Sequence, residues 1–139
     1  PETTRIQKQA GLQYDATLGF AQHEGFRNSY CWPFRIYDFD NDRPAEIWEI
    51  PLTAMDVTLF GYRKLDFQQS MNAITNLVQE VQKFNGVFSL LWHNSFFDEL
   101  QFPGITRFYL QLLDFLKDQE LEGITGGEIL SRMKNNQYI

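Results

Sequence analysis

Cysteine is almost missing from this chain: Cys31 stands alone among 139 residues. A single thiol excludes an intrachain disulfide framework and any zinc site built from cysteines. Long apolar runs are missing too. No stretch approaches the roughly 18 residues needed to span a bilayer, and no basic n-region with an apolar h-region opens the chain. Basic clusters are absent: 12 Lys and Arg against 18 Asp and Glu leave a net charge of −6, and the cations are scattered. A chain without a basic stripe has no means of displacing counterions from a phosphate backbone, so nucleic acid is not expected as a partner. Histidine is scarce as well. His23 and His93 lie far apart in sequence, with no H-x-x-x-H or H-E-x-x-H pair, and no metal ligand set is assigned within the chain. There is no G-x-G-x-x-G, no P-loop and no G-x-S-x-G elbow.

Aromatic residues are abundant at 16 %, with thirteen Phe, six Tyr and three Trp. That share suits either a heavy core or a surface that stacks on the apolar faces of sugars. The length suits one domain with a real core.

The apolar pattern predicts an α/β chain of about three strands with flanking helices. Residues 2–11 read as a short helix closing at Gly11, and 12–20 as a strand running into a loop. Residues 21–45 read as irregular, with a polar turn DFDNDRP. EIWEIPL (46–52) alternates as a strand with Trp48, Ile50 and Leu52 on one face and Pro51 on the other. Asp66 and Gln69 make a capping box. It opens a helix whose Phe67, Met71, Ile74, Leu77, Val78, Val81 and Phe84 hold a 3.6 period, with Gly86 as the left-handed stop. VFSLLWHN (87–94) reads as a strand buried on both faces. Pro103 opens a helix through about Asp118, and Thr125 with Glu128 caps a terminal helix carrying Ile129, Leu130 and Met133. Strands alternating with helices imply parallel pairing with right-handed crossovers. A closed eight-stranded barrel takes about 250 residues, more than the chain holds.

Chemistry in such folds gathers at the carboxyl ends of the strands. Asp15, Asp56 and His93 all fall at or just after such ends. A histidine near a carboxylate is a general acid–base arrangement. The bland readings are a histidine bonded at the rim of a core and aspartates serving as turn formers or helix caps. His23, in the polar loop AQHEG, reads as solvated. GFRNSYCWPFRIYD places Arg27, Tyr30, Trp32 and Arg35 among aromatics, as either a substrate-binding lid or a packed crossover loop.

Four blocks in order, AGLQYDATLGF, GFRNSYCWPFRIYD, WEIPLTAMDVTL and SLLWHN, resemble the C-terminal part of polysaccharide deacetylases of the NodB-homology type, over roughly residues 3–133. The resemblance implies the C-terminal portion of an irregular parallel β/α barrel, taken as a single segment over 1–139. It also implies metal-dependent hydrolysis of N-acetyl groups on carbohydrate. Leu90 to His93 matches the family's L-x-x-H motif, which implies His93 as general acid toward the leaving amine and Leu90, Leu91 and Trp92 as lining of the acetyl pocket. Asp15 is implied as the aspartate that tunes the histidine, with Arg27, Tyr30 and Trp32 near the sugar. The family's base aspartate, its metal-binding aspartate and histidines, and its arginine motif fall before Pro1. The expectation is therefore a part of a larger enzyme, inactive alone, with zinc or another divalent metal belonging to the full-length parent. Such a part should associate with its missing N-terminal half or form a homo-oligomer. The alternative is a non-catalytic carbohydrate-binding or interaction module of the same fold.

Overall fold

The computed structural model describes residues 2–135. Helix α1 (Glu2–Gln9) leads through Gly11, with φ at +83°, into strand β1 (Tyr14–Asp15). Strands β2 (Phe34–Asp38) and β3 (Arg43–Glu49) follow, then β4 (Ala54–Met55) and a π-helical turn (Val57–Tyr62). Helix α2 (Phe67–Lys83) precedes β5 (Leu90–Leu91) and a 3₁₀ turn (Asn94–Phe97), and α3 (Ile105–Asp118) and α4 (Gly126–Lys134) complete the order. The strands make two small sheets, one ordered β1-β3-β2 and the other β4-β5. Both β1–β3 and β4–β5 pair parallel, but only β4–β5 is joined through a helix, α2; β1 reaches β3 through a loop and β2.

The β2–β3 pair corrects the sequence expectation, because it is an antiparallel hairpin whose first strand, turn and the start of β3 lie in the segment read as irregular, while the strand read over 46–52 covers the later part of β3. Its turn is self-supporting. The Asp38 carboxylate accepts the N–H groups of Asp40 and Asn41, Asp42 takes a left-handed φ of 50°, and the Tyr37 hydroxyl donates to Asp42. The face of β3 is also shifted by one residue. Ala45, Ile47 and Glu49 point inward, while Trp48 is half-buried under the Arg35 guanidinium. A buried glutamate breaks the apolar alternation that the sequence pattern relies on.

Helix α2 begins where its capping box predicts, with Asp66 accepting from Gln69 N–H and Gln69 returning to the Asp66 N–H. Ile74, Val78 and Val81 are buried. Ile74 and Val78 form one core with Leu59 of the π-helical turn and Ile105, Phe108 and Leu112 of α3. Each fully buried side chain of this kind is worth about 1.5–3 kcal/mol relative to exposure. The stop differs from expectation. Asn85 takes the left-handed conformation at φ 48°, and Gly86 is demanded by packing: a Cβ there would overlap Cys31 Sγ and lie 2.9 Å from the Cys31 carbonyl oxygen. Thr125 and Glu128 make the second capping box as read.

The run 87–93 is not buried on both faces. Phe88, Leu90 and Trp92 lean on the α2–α3 core, and Val87 packs with Ile50 and Ile129, but Leu91 is 40 % exposed. Among the described residues β5 has a single strand neighbour, β4, and the far side of the run is covered only near Val87.

Candidate functional site: a buried aspartate behind an exposed histidine

Parallel register sets Ala54 opposite Leu90 and Met55 opposite Leu91, so both chains leave the sheet together at its carboxyl end. Asp56 follows at once and caps the π-helical turn, its Oδ1 accepting the Val57 N–H at 2.6 Å. It is completely buried. His93 enters from the other strand. Its Nδ1 lies 2.6 Å from Asp56 Oδ1, and its backbone N–H donates to Asp56 Oδ2. A carboxylate is acceptor-only, so Nδ1 carries the hydrogen and, in the neutral ring, the Nε2 edge keeps its lone pair. The imidazole side chain is 41 % exposed, and no hydrogen bond to Nε2 forms among the described residues. Phe96 accompanies the ring at 6.5 Å between centroids, and its N–H closes the 3₁₀ turn on the His93 carbonyl. The result is an oriented imidazole, able to give or take a proton or an acyl group at one edge.

Of the three strand-end groups singled out in the sequence, the structure joins Asp56 to His93. Asp15 lies in the other sheet, where its carboxylate accepts from Gln7 Nε2 at 2.7 Å and Ala16 N–H at 2.8 Å. Its register partner is Glu49, which is buried and accepts the Leu18 N–H at 2.9 Å. Burial pushes the Glu49 carboxyl up; the Leu18 and Thr17 backbone bonds oppose this and the Asp15 charge adds to it.

The loop after β1 reaches the same end of the molecule as the Asp56–His93 pair. The Thr58 hydroxyl donates to the Ala21 carbonyl, Gly25 N–H to the Thr53 carbonyl, and Glu24 pairs with Arg63. His23 sits in this loop, with its ring against Phe20 and Nδ1 3.1 Å from the Glu24 carbonyl oxygen. Arg27 donates to the Gly19 carbonyl, and half-exposed Tyr30 meets Phe34 edge-on. Trp32 is placed elsewhere. Its indole N–H donates to the Phe84 carbonyl, and the neighbouring Cys31 carbonyl accepts the Val87 N–H. Trp32 therefore flanks the start of the 87–93 run, about 20 Å of extended chain from His93.

Leu90 is packed on the core and Leu91 is open to solvent. Trp92 lies within an aromatic cluster, 4.9 Å from the Tyr109 ring centroid, with its Nε1 buried and unpartnered among the described residues. No group of three or more His, Cys, Asp or Glu side chains placed to hold a metal ion gathers among the described residues. No described helix is long and apolar enough to cross a membrane.

No family model, no curated protein and no solved structure matches the chain.

Proposed function

We propose that this chain is the C-terminal portion of a metal-dependent deacetylase that hydrolyses N-acetyl groups on carbohydrate. In this reading its two parallel strand pairs are part of an irregular β/α barrel. The observation that carries the reading is the fully buried Asp56 carboxylate bonded to Nδ1 of a partly exposed His93, at the carboxyl end of parallel strands. That geometry suits a general acid. The leaving amine of an amide must be protonated as the C–N bond breaks, and an imidazolium formed at Nε2 is stabilised by the carboxylate behind it. His93 is then the catalytic residue and Asp56 its positioning residue. Exposed Leu91, two residues before His93, offers apolar surface beside the imidazole for an acetyl methyl. In this reading the residues that hold the metal and activate the water lie outside this chain.

The test is acetate release from an N-acetylglucosamine tetramer by the polypeptide of the whole open reading frame, with zinc and with EDTA. Zinc-dependent release is expected, falling by about 10²–10⁴-fold in His93→Ala, as loss of a general acid does. This chain by itself should release none. Zinc-dependent release undiminished by His93→Ala, or no release by the whole polypeptide, would refute the reading. Retained binding of the tetramer without turnover would favour a carbohydrate-binding module instead.

A further inference from the structure

Nothing in the Asp56–His93 geometry itself depends on a metal. We propose that this chain alone, with no metal, catalyses acyl transfer to water from small esters with good leaving groups, through Nε2 of His93 as nucleophile. The inference goes beyond the proposed deacetylation and stands whether or not that reading holds.

Three observations carry it. The first is tautomer: bonding of Nδ1 to a carboxylate oxygen at 2.6 Å leaves the electron pair on Nε2. The second is exposure. Asp56 is buried on the Nδ1 side while the His93 side chain is 41 % exposed, so the accessible edge of the ring is the nucleophilic one. The third is that the ring is held. Its backbone N–H is bonded to the other oxygen of the same carboxylate, and its carbonyl accepts the Phe96 N–H at 3.0 Å. A ring held with its lone pair outward loses little freedom when an acyl carbon approaches. Leu91, two residues before His93 and 40 % exposed, gives apolar surface for a short acyl or aryl group.

The step balances without a co-reactant other than water. The Nε2 pair forms an N–C bond to the ester carbonyl carbon, and the C–O bond breaks, its electrons leaving on the phenolate. The acyl-imidazolium is neutralised across the Nδ1–H···Oδ1 bond by Asp56. Water then adds to the acyl carbon, the N–C pair returns to Nε2, and carboxylate and protons are released. Amides, whose leaving group is a poor one, are not substrates of this route.

His23 is an internal control. It is the other histidine, it lies in an exposed loop, and its Nδ1 faces a backbone carbonyl rather than a carboxylate. The experiment follows p-nitrophenolate release from p-nitrophenyl acetate in EDTA, at neutral pH, with ester in large excess. Lysine side chains are acetylated once and stop, so the steady rate after the initial phase isolates turnover. The expected result is a steady protein-dependent rate that falls by about tenfold or more in His93→Asn and stays unchanged in His23→Ala. His93→Asn keeps a side-chain N–H within reach of Asp56, and an unchanged far-UV spectrum verifies the fold. Asp56→Asn should also slow turnover, because an amide facing Nδ1 permits the other tautomer. A rate insensitive to His93→Asn, or lost equally in His23→Ala, would overturn the proposal. So would a progress curve that stops after one equivalent per lysine. Because EDTA is present and no sugar is used, failure here leaves the deacetylase test untouched, and the reverse also holds.

Discussion

Replacing Asp56 with alanine removes the acceptor on which two segments converge. The carboxylate takes the Val57 N–H, the His93 backbone N–H and the His93 Nδ1–H, and it is 0 % exposed. Each buried donor left unpaired costs about 1–3 kcal/mol. The two backbone donors carry most of this. The imidazole bond counts for less, because the His93 side chain is 41 % exposed and its freed Nδ1–H can turn to water. A total of about 2–5 kcal/mol follows, overlapping the roughly 3–5 kcal/mol for removing one partner of a buried pair. Urea denaturation of wild type and Asp56→Ala, with m compared as well as midpoint, measures it directly. His93→Ala should cost less, since it removes one of the three bonds and keeps the backbone donor. In the double mutant the two losses should fall short of additive, because the shared bond is counted once. A cost below about 1 kcal/mol for Asp56→Ala would refute the reasoning, since it would mean that water already reaches those donors.

Two further outcomes follow from the same packing. Glu49 has its carboxyl pushed up by burial, so ionisation is disfavoured in the folded chain. Its contribution to stability is present below the ordinary glutamate range and is lost as pH rises through its higher folded value. Glu99, Glu122, Glu128 and Asp38 are held low by their hydrogen bonds and act in the opposite sense, so the diagnostic is a difference curve. Glu49→Gln should gain on wild type as pH rises toward neutrality, and a flat difference between the two chains would contradict this. Gly86→Ala forces a Cβ onto Cys31 and should cost about 1–3 kcal/mol as overpacking. Adding Cys31→Ala should recover part of that but not all, because the Cys31 carbonyl oxygen remains 2.9 Å from the new Cβ. Equal thermal midpoints for Gly86→Ala and wild type would count against the close approach.

What was legible in the sequence was local. Asp66 with Gln69 and Thr125 with Glu128 fix the starts of α2 and α4 by bonds spanning three residues, and both formed as read. Features set by distant partners were harder. FRIYD becomes β2 only because β3 lies beside it, and the polar turn between them could be seen without the pairing it produces. The face of β3 was misread because Glu49 is buried, held by a backbone N–H 31 residues away. Gly86 was recognised as necessary for the wrong reason, since its constraint is Cys31 and not φ.

The site shows the same division. Strand-end reasoning picks out Asp15, Asp56 and His93 alike, with nothing to separate them. The chain distributes β1 and β4 to different sheets, and the β4–β5 register selects Asp56 as the partner of His93. Spacing along the sequence carries no signal for that choice. The placement of Trp32 by Phe84 was likewise invisible, because it rests on a bond between residues 52 positions apart.

The central claim is that Asp56 fixes the His93 imidazole with its hydrogen on Nδ1 and its lone pair on Nε2. Long-range ¹⁵N–¹H correlation of the ring nitrogens, at a pH where the ring is neutral, reads this directly. The account predicts a protonated, pyrrole-type Nδ1 and a pyridine-type Nε2 for His93, with the pattern weakened or reversed in Asp56→Asn. A His93 ring with its hydrogen on Nε2 in the wild-type chain, or a spectrum indifferent to Asp56→Asn, would contradict it.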